Sequence, residues 1–233
     1  MNTPAQPLGQ PLSHLAARIL DALPQTQCTR CGYPDCASYA QAIAAGEANI
    51  NQCPPGGQEG VARLAQITAL PAKPLDPTFG LESARQVVFI DENWCIGCTL
   101  CIDACPTDAI MGSNKRMHTV LEAYCTGCEL CLPVCPVDCI KLEVASGDAT
   151  GWAAWSQPQA ELARTRYAAK MQRSERAKAE HIEKKQAQAQ AKLADLAAHS
   201  RIADPAVLDH KRAIIEAAMA RARSKRAADP GKE

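Results

Sequence analysis

The stretch "CIGCTLCIDACP", residues 95–106, decides the fold, because thirty positions later the chain repeats it as "CTGCELCLPVCP", residues 125–136. At an offset of 30, Cys95, Cys98, Cys101 and Cys105 fall on Cys125, Cys128, Cys131 and Cys135, while Gly97 falls on Gly127 and Pro106 on Pro136. Four thiols within eleven residues, twice, serve either disulfides or metal. Cys139 falls on Ala109, so one copy does without that thiol, and Cys139 reads as a small packing residue rather than a ligand.

Composition separates the two uses. The 233 residues contain thirteen cysteines, an odd number that a closed disulfide framework would not leave. Aromatic residues make up only 4% of the chain, thin material for a conventional core. The N-terminal stretch "MNTPAQPLGQPLSHLAARIL" has no basic region followed by an apolar run, so no secretory signal is read. Nowhere does the chain approach the roughly 20 apolar residues of a membrane span. A cytoplasmic location is expected, where thiols stay reduced and dense cysteine means metal or redox chemistry.

The spacing C-x2-C-x2-C-x3-C-P, twice, then points to iron–sulfur clusters. Zinc takes four thiolates tetrahedrally, commonly from paired C-x2-C knuckles, whereas three thiolates on one tight loop suit a cubane. In two-cluster ferredoxins the fourth cysteine of each run serves the other cluster. The expected sets are Cys95, Cys98, Cys101 with Cys135, and Cys125, Cys128, Cys131 with Cys105. Gly97 and Gly127 let the ligand loops turn tightly and aim backbone N–H groups at sulfur.

A third set, Cys28, Cys31, Cys36 and Cys53, has the spacing C-x2-C-x4-C-x16-C. On spacing alone it suits either zinc or a [4Fe–4S] cluster. Asp35 is placed to cap a helix starting at Cys36, where free N–H groups favour an anionic centre. "CPPGG" after this set repeats the Cys-Pro pattern of the other runs.

Around the cysteines, apolar spacing predicts helices over 12–23, from Cys36 to Gly46, and over 59–69. Short strands are expected at "VVFID", "DAIMG", "MHTVLE" and "DCIKLEV", with a short helix in each repeat. Pro71, Pro74 and Pro77 mark a linker. The fold expected is α+β: a small helical cluster domain over 1–70, the linker over 71–84, a bacterial two-[4Fe–4S] ferredoxin-type domain over 85–151, and a long helical tail over 152–233. Residues 1–151 carry 8 Lys/Arg against 15 Asp/Glu, and residues 152–233 carry 17 against 10. The tail is rich in helix formers and sparse in apolar residues, so it reads as a solvated helix with a second helix beginning at Asp204-Pro205. The histidines at 14, 118, 181, 199 and 210 read as surface or packing residues.

At this point the stretch from "LPQTQCTRCGYPDCASYAQAIAAGEANINQCPPGG" through "IDENWCIGCTLCIDACPTDAIMGSNKRMHTVLEAYCTGCELCLPVCPVDCI" resembles the B subunit of the Rnf (Rsx) electron-transport complex. The resemblance spans residues 12–145, takes in all twelve candidate ligands in order, and includes "MHTV" between the runs. It implies a [4Fe–4S] cluster on the N-terminal set as well, hence three clusters. Members in the membrane complex begin with an apolar anchor helix, which residues 1–12 do not supply, so an anchor-less, soluble member is expected.

The function expected is single-electron transfer between a donor and a redox partner: a reductase, a ferredoxin acceptor or a membrane electron-transport complex. Peripheral association with the inner face of the cell membrane is compatible with it. Neither a small-molecule substrate site nor catalysis by the chain alone is legible. The rival reading is a zinc-stabilised binding module whose basic tail, with "RARSKR" at 221–226, grips nucleic acid or another partner. The tail lacks a reader motif, so nucleic acid is not the expected partner.

Overall fold

The structure is a computed structural model that describes residues 13–228 apart from Ala197, Arg201 and Ala203. The expectation about an anchor helix in residues 1–12 lies outside the described residues. Among those described, no helix is long and apolar enough to cross a membrane. The chain divides into two compact units, one reaching Met171 and one from Gln172 onward.

The first unit opens with three helices, α1 (His14–Asp21), α2 (Cys36–Ala44) and α3 (Gly57–Thr68). Ser13 caps α1 by accepting the Ala16 N–H at 3.1 Å. Asp35 caps α2 by accepting the Ser38 N–H at 2.7 Å, as the sequence predicts. Gly46, at φ +76°, turns the chain away after α2. The helices bury Ile19, Leu23, Tyr39, Ile43, Val61 and Leu64 together with Cys31 and Cys36. Tyr39 satisfies its buried hydroxyl by donating to Asn49 O and accepting from Gln52 N.

The proline-rich stretch is pinned to this helical core. Asn51 donates to Pro74 O at 2.8 Å, Gln58 donates to Lys73 O at 3.0 Å, and Asp76 N donates to Asn51 O at 2.9 Å. Glu82 then accepts from Gln58 N at 2.8 Å, at the start of α3, and from Thr150 Oγ1 at 2.7 Å. One carboxylate therefore joins the helical core to the far end of the repeat segment, at a helix N-terminus that favours its charge.

The repeat segment holds strands β1 (Gln86–Ile90), β2 (Ile110–Met111), β3 (Thr119–Val120) and β4 (Ile140–Val144), with helix α4 (Leu100–Ala104). β1 pairs antiparallel with β4, Val88 opposite Leu142, and β2 pairs antiparallel with β3, Ile110 opposite Val120. Only the first repeat forms its short helix. Asp103 N donates to Thr99 O at 3.2 Å there, and its counterpart in the second copy is Pro133, which has no N–H to give.

Helix α5 (Gln157–Ala194) follows, and its first turns belong to the first unit. Trp152 and Trp155 pack on Ala160 and Ala163, and Trp155 Nε1 donates to Pro24 O at 2.8 Å. The composition of residues 158–199 predicts a largely solvated helix. The structure corrects this for its first turns: Ala160 and Ala163 pack under the two buried indoles, and Arg166, Tyr167 and Lys170 bond back to the cluster regions. Helix α6 (Pro205–Ala228) lies in the second unit, with Asp204 accepting the Ala206 N–H at 2.9 Å as its cap.

Candidate metal centres

Three small cavities in the first unit are each walled by four of the candidate cysteines. The N-terminal one is lined by Cys28, Cys31, Cys36 and Cys53 with Leu23, Thr26 and Tyr39. A second is lined by Cys95, Cys98, Cys101 and Cys135, together with His118 and Cys139. The third is lined by Cys105, Cys125, Cys128 and Cys131, together with Thr107, Thr126 and Glu129. We call them sites N, A and B. Sites A and B each take three cysteines from one run and the fourth from the other.

Local chain geometry explains the gathering. Gly97 and Gly127 both sit at φ +68°. A Cβ on Gly97 would stand 2.5 Å from Arg116 N and O, and one on Gly127 would overlap Gln86 O. Only glycine lets these loops press against the neighbouring backbone. The short β2–β3 and β1–β4 ladders bring the ends of the two runs together.

The walls are largely apolar, and backbone N–H groups approach the sulfurs. Ala109 N donates to Cys105 Sγ at 3.2 Å. The N–H groups of Tyr33, Gly56 and Leu130 act to lower the thiols of Cys31, Cys53 and Cys128 against the effect of burial. Burial pushes the thiols up: Cys31, Cys101 and Cys128 to about 11 and Cys131 to about 12. Cys36 and Cys53 also rise well above the ordinary thiol range, again through burial first. At Cys135 burial raises the value, but the N–H groups of Val137, Cys139 and Asp138 outweigh it and the thiol is lowered. Thiols held protonated in an apolar pocket become good ligands once a polycation replaces their protons. Among the described residues, no group of three or more His, Cys, Asp or Glu converges on a single-ion position. Thiols standing around a space, with N–H donors behind them, fit a cubane better than a lone tetrahedral ion.

Sites N and B share a wall. Thr126 Oγ1 donates to Thr26 O at 3.0 Å, and Arg30 pairs with Glu129 at 2.6 Å. Site A has no such cover. Thr126 is 4% exposed, while its repeat counterpart Ile96 is 57% exposed. Trp94, Leu100 and Met117 are exposed near it in sequence, beside Lys115 and Arg116.

Sequence reasoning misses two features. The first is His118, read as surface or packing, which is buried with Nδ1 3.3 Å from Cys101 Sγ. Its only sequence signal is its place in "MHTV". The second is α5. Tyr167 donates to the other oxygen of Asp35 at 3.1 Å, and Arg166 donates to Thr107 O and Asp108 O while stacking on Tyr124. Lys170 donates to Ile102 O and Asp103 O. The two tryptophans at 152 and 155 are the legible sign that the tail begins as core. Cys139, expected to be a packing residue, lines site A with Sγ 3.5 Å from Cys135 Sγ.

Comparison with known proteins places this geometry. A family model described as a 4Fe-4S dicluster domain matches residues 88–142, and one described as "Putative Fe-S cluster" matches residues 23–55. The B subunit of the ion-translocating oxidoreductase complex of Azoarcus sp. is 57% identical over 148 residues, 64% of this chain and 80% of the relative. The chain belongs to the family of B subunits of ion-translocating oxidoreductase complexes. Other members agree: the B subunit of Alkalilimnicola ehrlichii is 54% identical over 151 residues, 64% of this chain and 81% of the relative. That of Pseudomonas aeruginosa PAO1 is 52% identical over 148 residues, 64% of this chain and 77% of the relative. Together with the two family models, this membership makes the chain a [4Fe–4S] protein of electron transport.

Proposed function

We propose that this chain carries three [4Fe–4S] clusters and passes single electrons through them in the order N, B, A, or the reverse. The ligands assigned are Cys28, Cys31, Cys36 and Cys53 at N; Cys105, Cys125, Cys128 and Cys131 at B; and Cys95, Cys98, Cys101 and Cys135 at A. The observation that carries the reading is the gathering of twelve cysteines, four to a cavity, around three largely apolar spaces in one compact unit. A [4Fe–4S] cluster supplies storage of one electron with little change of shape. The protein's share is to hold the sites close and exclude water.

The order rests on the shared wall between N and B. The domain division is part of the proposal: a helical N region through residue 70, a Pro-rich connector over 71–84, and a repeat region over 85–151. Residues 152–171 of the tail brace both cluster regions. The exposed apolar residues at A, with Lys115 and Arg116 near them, suit a redox protein that presents an apolar patch with an acidic rim. We place the chain in a membrane electron-transport complex, peripheral and on the cytoplasmic side; its relatives are named as subunits of an ion-translocating oxidoreductase complex, which supports the reading.

Replacing two cysteines of one set with serine, in three separate variants, tests the assignment. Each variant purified without oxygen should lose about one third of its iron and sulfide, four of each per cluster. A double variant at any set that keeps its full iron would overturn the assignment of that set.

A further inference from the structure

Sites A and B come from one repeated motif, yet their walls differ at several positions, Ile96, Val137 and Cys139 at A standing where Thr126, Thr107 and Ala109 stand at B, and one difference puts a ring nitrogen on a sulfur. Beside Cys101 of site A stands an imidazole, His118, 1% exposed, with Nδ1 3.3 Å from Sγ. Among the described residues, no histidine lines site B beside Cys131, the counterpart of Cys101; the polar residues there are Thr107, Thr126 and Glu129. We propose that His118 is a potential-setting residue that makes the site A cluster easier to reduce than the site B cluster. The proposal rests on the reading of A and B as [4Fe–4S] sites.

The tautomer follows from the surroundings. His118 Nε2 is buried and has no hydrogen-bond partner among the described residues. A proton on Nε2 would have nothing to bond, and the bare Nδ1 lone pair would face an anionic sulfur. A proton on Nδ1 instead makes a charge-assisted N–H···S bond, and leaves only a weak acceptor unpaired. Reduction adds negative charge that is shared by the ligand sulfurs, so the bond is stronger in the reduced state. Hydrogen bonds to sulfur of this kind raise a cluster's potential.

The ring is also held in place. A Cβ on Gly112 would overlap His118 Cδ2 and stand 2.9 Å from Cγ, so only glycine at 112 leaves room for the imidazole. Gly112 precedes the exposed loop 113–117, which returns the chain to His118 and β3. The glycine thus works as a second handle on the same hydrogen bond, without changing the histidine itself.

The consequence is a built-in slope. Electrons within the ferredoxin pair settle on A, the site whose exposed surroundings suit an external partner. Outer-shell partners of metal ligands change metal affinity or activity by about 10–100-fold. A tenfold effect of the His118 bond on the one-electron equilibrium corresponds to about 59 mV.

The test compares full-length wild-type protein, His118→Phe, His118→Gln and Gly112→Ala, all purified without oxygen. Iron and sulfide are counted, and reductive titrations are followed by electron paramagnetic resonance. In His118→Phe one wave should fall by about 59 mV while the others stay. Gly112→Ala should lower the same wave, and His118→Gln, whose amide keeps an N–H donor, should recover at least half the shift. Full iron content with every wave unmoved in both His118→Phe and Gly112→Ala would overturn the role given to His118. If His118→Phe fails to hold its iron, the other two variants decide: a lowered wave in Gly112→Ala supports the proposal, and an unmoved one overturns it. A wild-type protein without iron–sulfur signals would instead sink the reading of the sites themselves.

Discussion

Trp155→Ala should cost this protein much of its stability, although Trp155 lines none of the three cysteine-walled cavities. The indole is 7% exposed and packs with Trp152 on Ala160 and Ala163. Removing a buried tryptophan costs about 3–5 kcal/mol through lost transfer energy and the cavity left behind. Two further losses follow. The Arg85 guanidinium lies 4.8 Å over the ring, its Nε is buried without a hydrogen-bond partner among the described residues, and burial already pulls its pKa down. Stripped of the ring, that cation loses a cation–π contact of about 0.5–2 kcal/mol. Pro24 O also loses its donor, in the same short segment whose Thr26 O accepts from Thr126 at site B. The sum is about 3.5–7 kcal/mol, against about 5–15 kcal/mol for a whole domain. With a urea slope of about 1–3 kcal/mol per molar, the midpoint should fall by about 1 M or more. The assay is anaerobic urea unfolding followed by far-ultraviolet circular dichroism, with iron counted before each run. Trp94→Ala, at a residue 67% exposed, is the control and should move within about 0.5 kcal/mol. If the two variants unfold at the same urea concentration, the account of residues 152–171 as a brace is wrong.

The remaining predictions address the tail, the ligand loops and pH. A chain ending at Met171 should keep all of its iron, whereas one ending at Thr150 should lose iron from site N first, because it removes Trp155 and the Tyr167 contact to Asp35; equal iron in the two truncations would contradict this. Gly127→Ala should empty site B while sparing site N, since the new Cβ meets Gln86 O and a left-handed alanine adds about 1–2 kcal/mol of strain; full iron content would refute it. Stripped of iron, the folded chain should lose stability as pH rises from about 8.5, where unfolded thiols titrate, to about 11. The sign follows from Cys31, Cys101 and Cys128, whose buried thiols hold protons to about 11, so the folded state binds more protons throughout that window. The stabilisation is intact below about 8.5, and a midpoint constant from pH 7 to 11 would contradict it.

Much of the candidate site is legible because ligand spacing is written locally. C-x2-C-x2-C fixes three thiols on one loop whatever surrounds it, and Asp35 before Cys36 signals a helix start by its own short side chain. Strands are found where β-branched residues alternate beside the runs, and all four form. The second short helix fails for a local reason also in the sequence, Pro133 in place of Asp103.

What escapes notice is long-range. Nothing near His118 states that it will meet Cys101, seventeen residues away, and the glycine that makes room for it reads as an ordinary turn residue. The helix composition of α5 is that of a solvated helix over most of its length, and its mean hides two tryptophans just before it and three residues, Arg166, Tyr167 and Lys170, that bond backward. Their partners lie between 58 and 132 residues away in sequence, beyond any periodicity. The shared wall of N and B depends likewise on a contact between Thr26 and Thr126 that neither flank announces.

The central claim is that twelve thiols hold three cubanes in one chain. Iron and acid-labile sulfide should be counted on the anaerobically purified full-length protein, with its paramagnetic resonance recorded after dithionite. About twelve iron and twelve sulfide per chain, with signals of reduced [4Fe–4S] clusters, is the result predicted. Stoichiometric zinc without sulfide, in a protein silent after reduction, would contradict it.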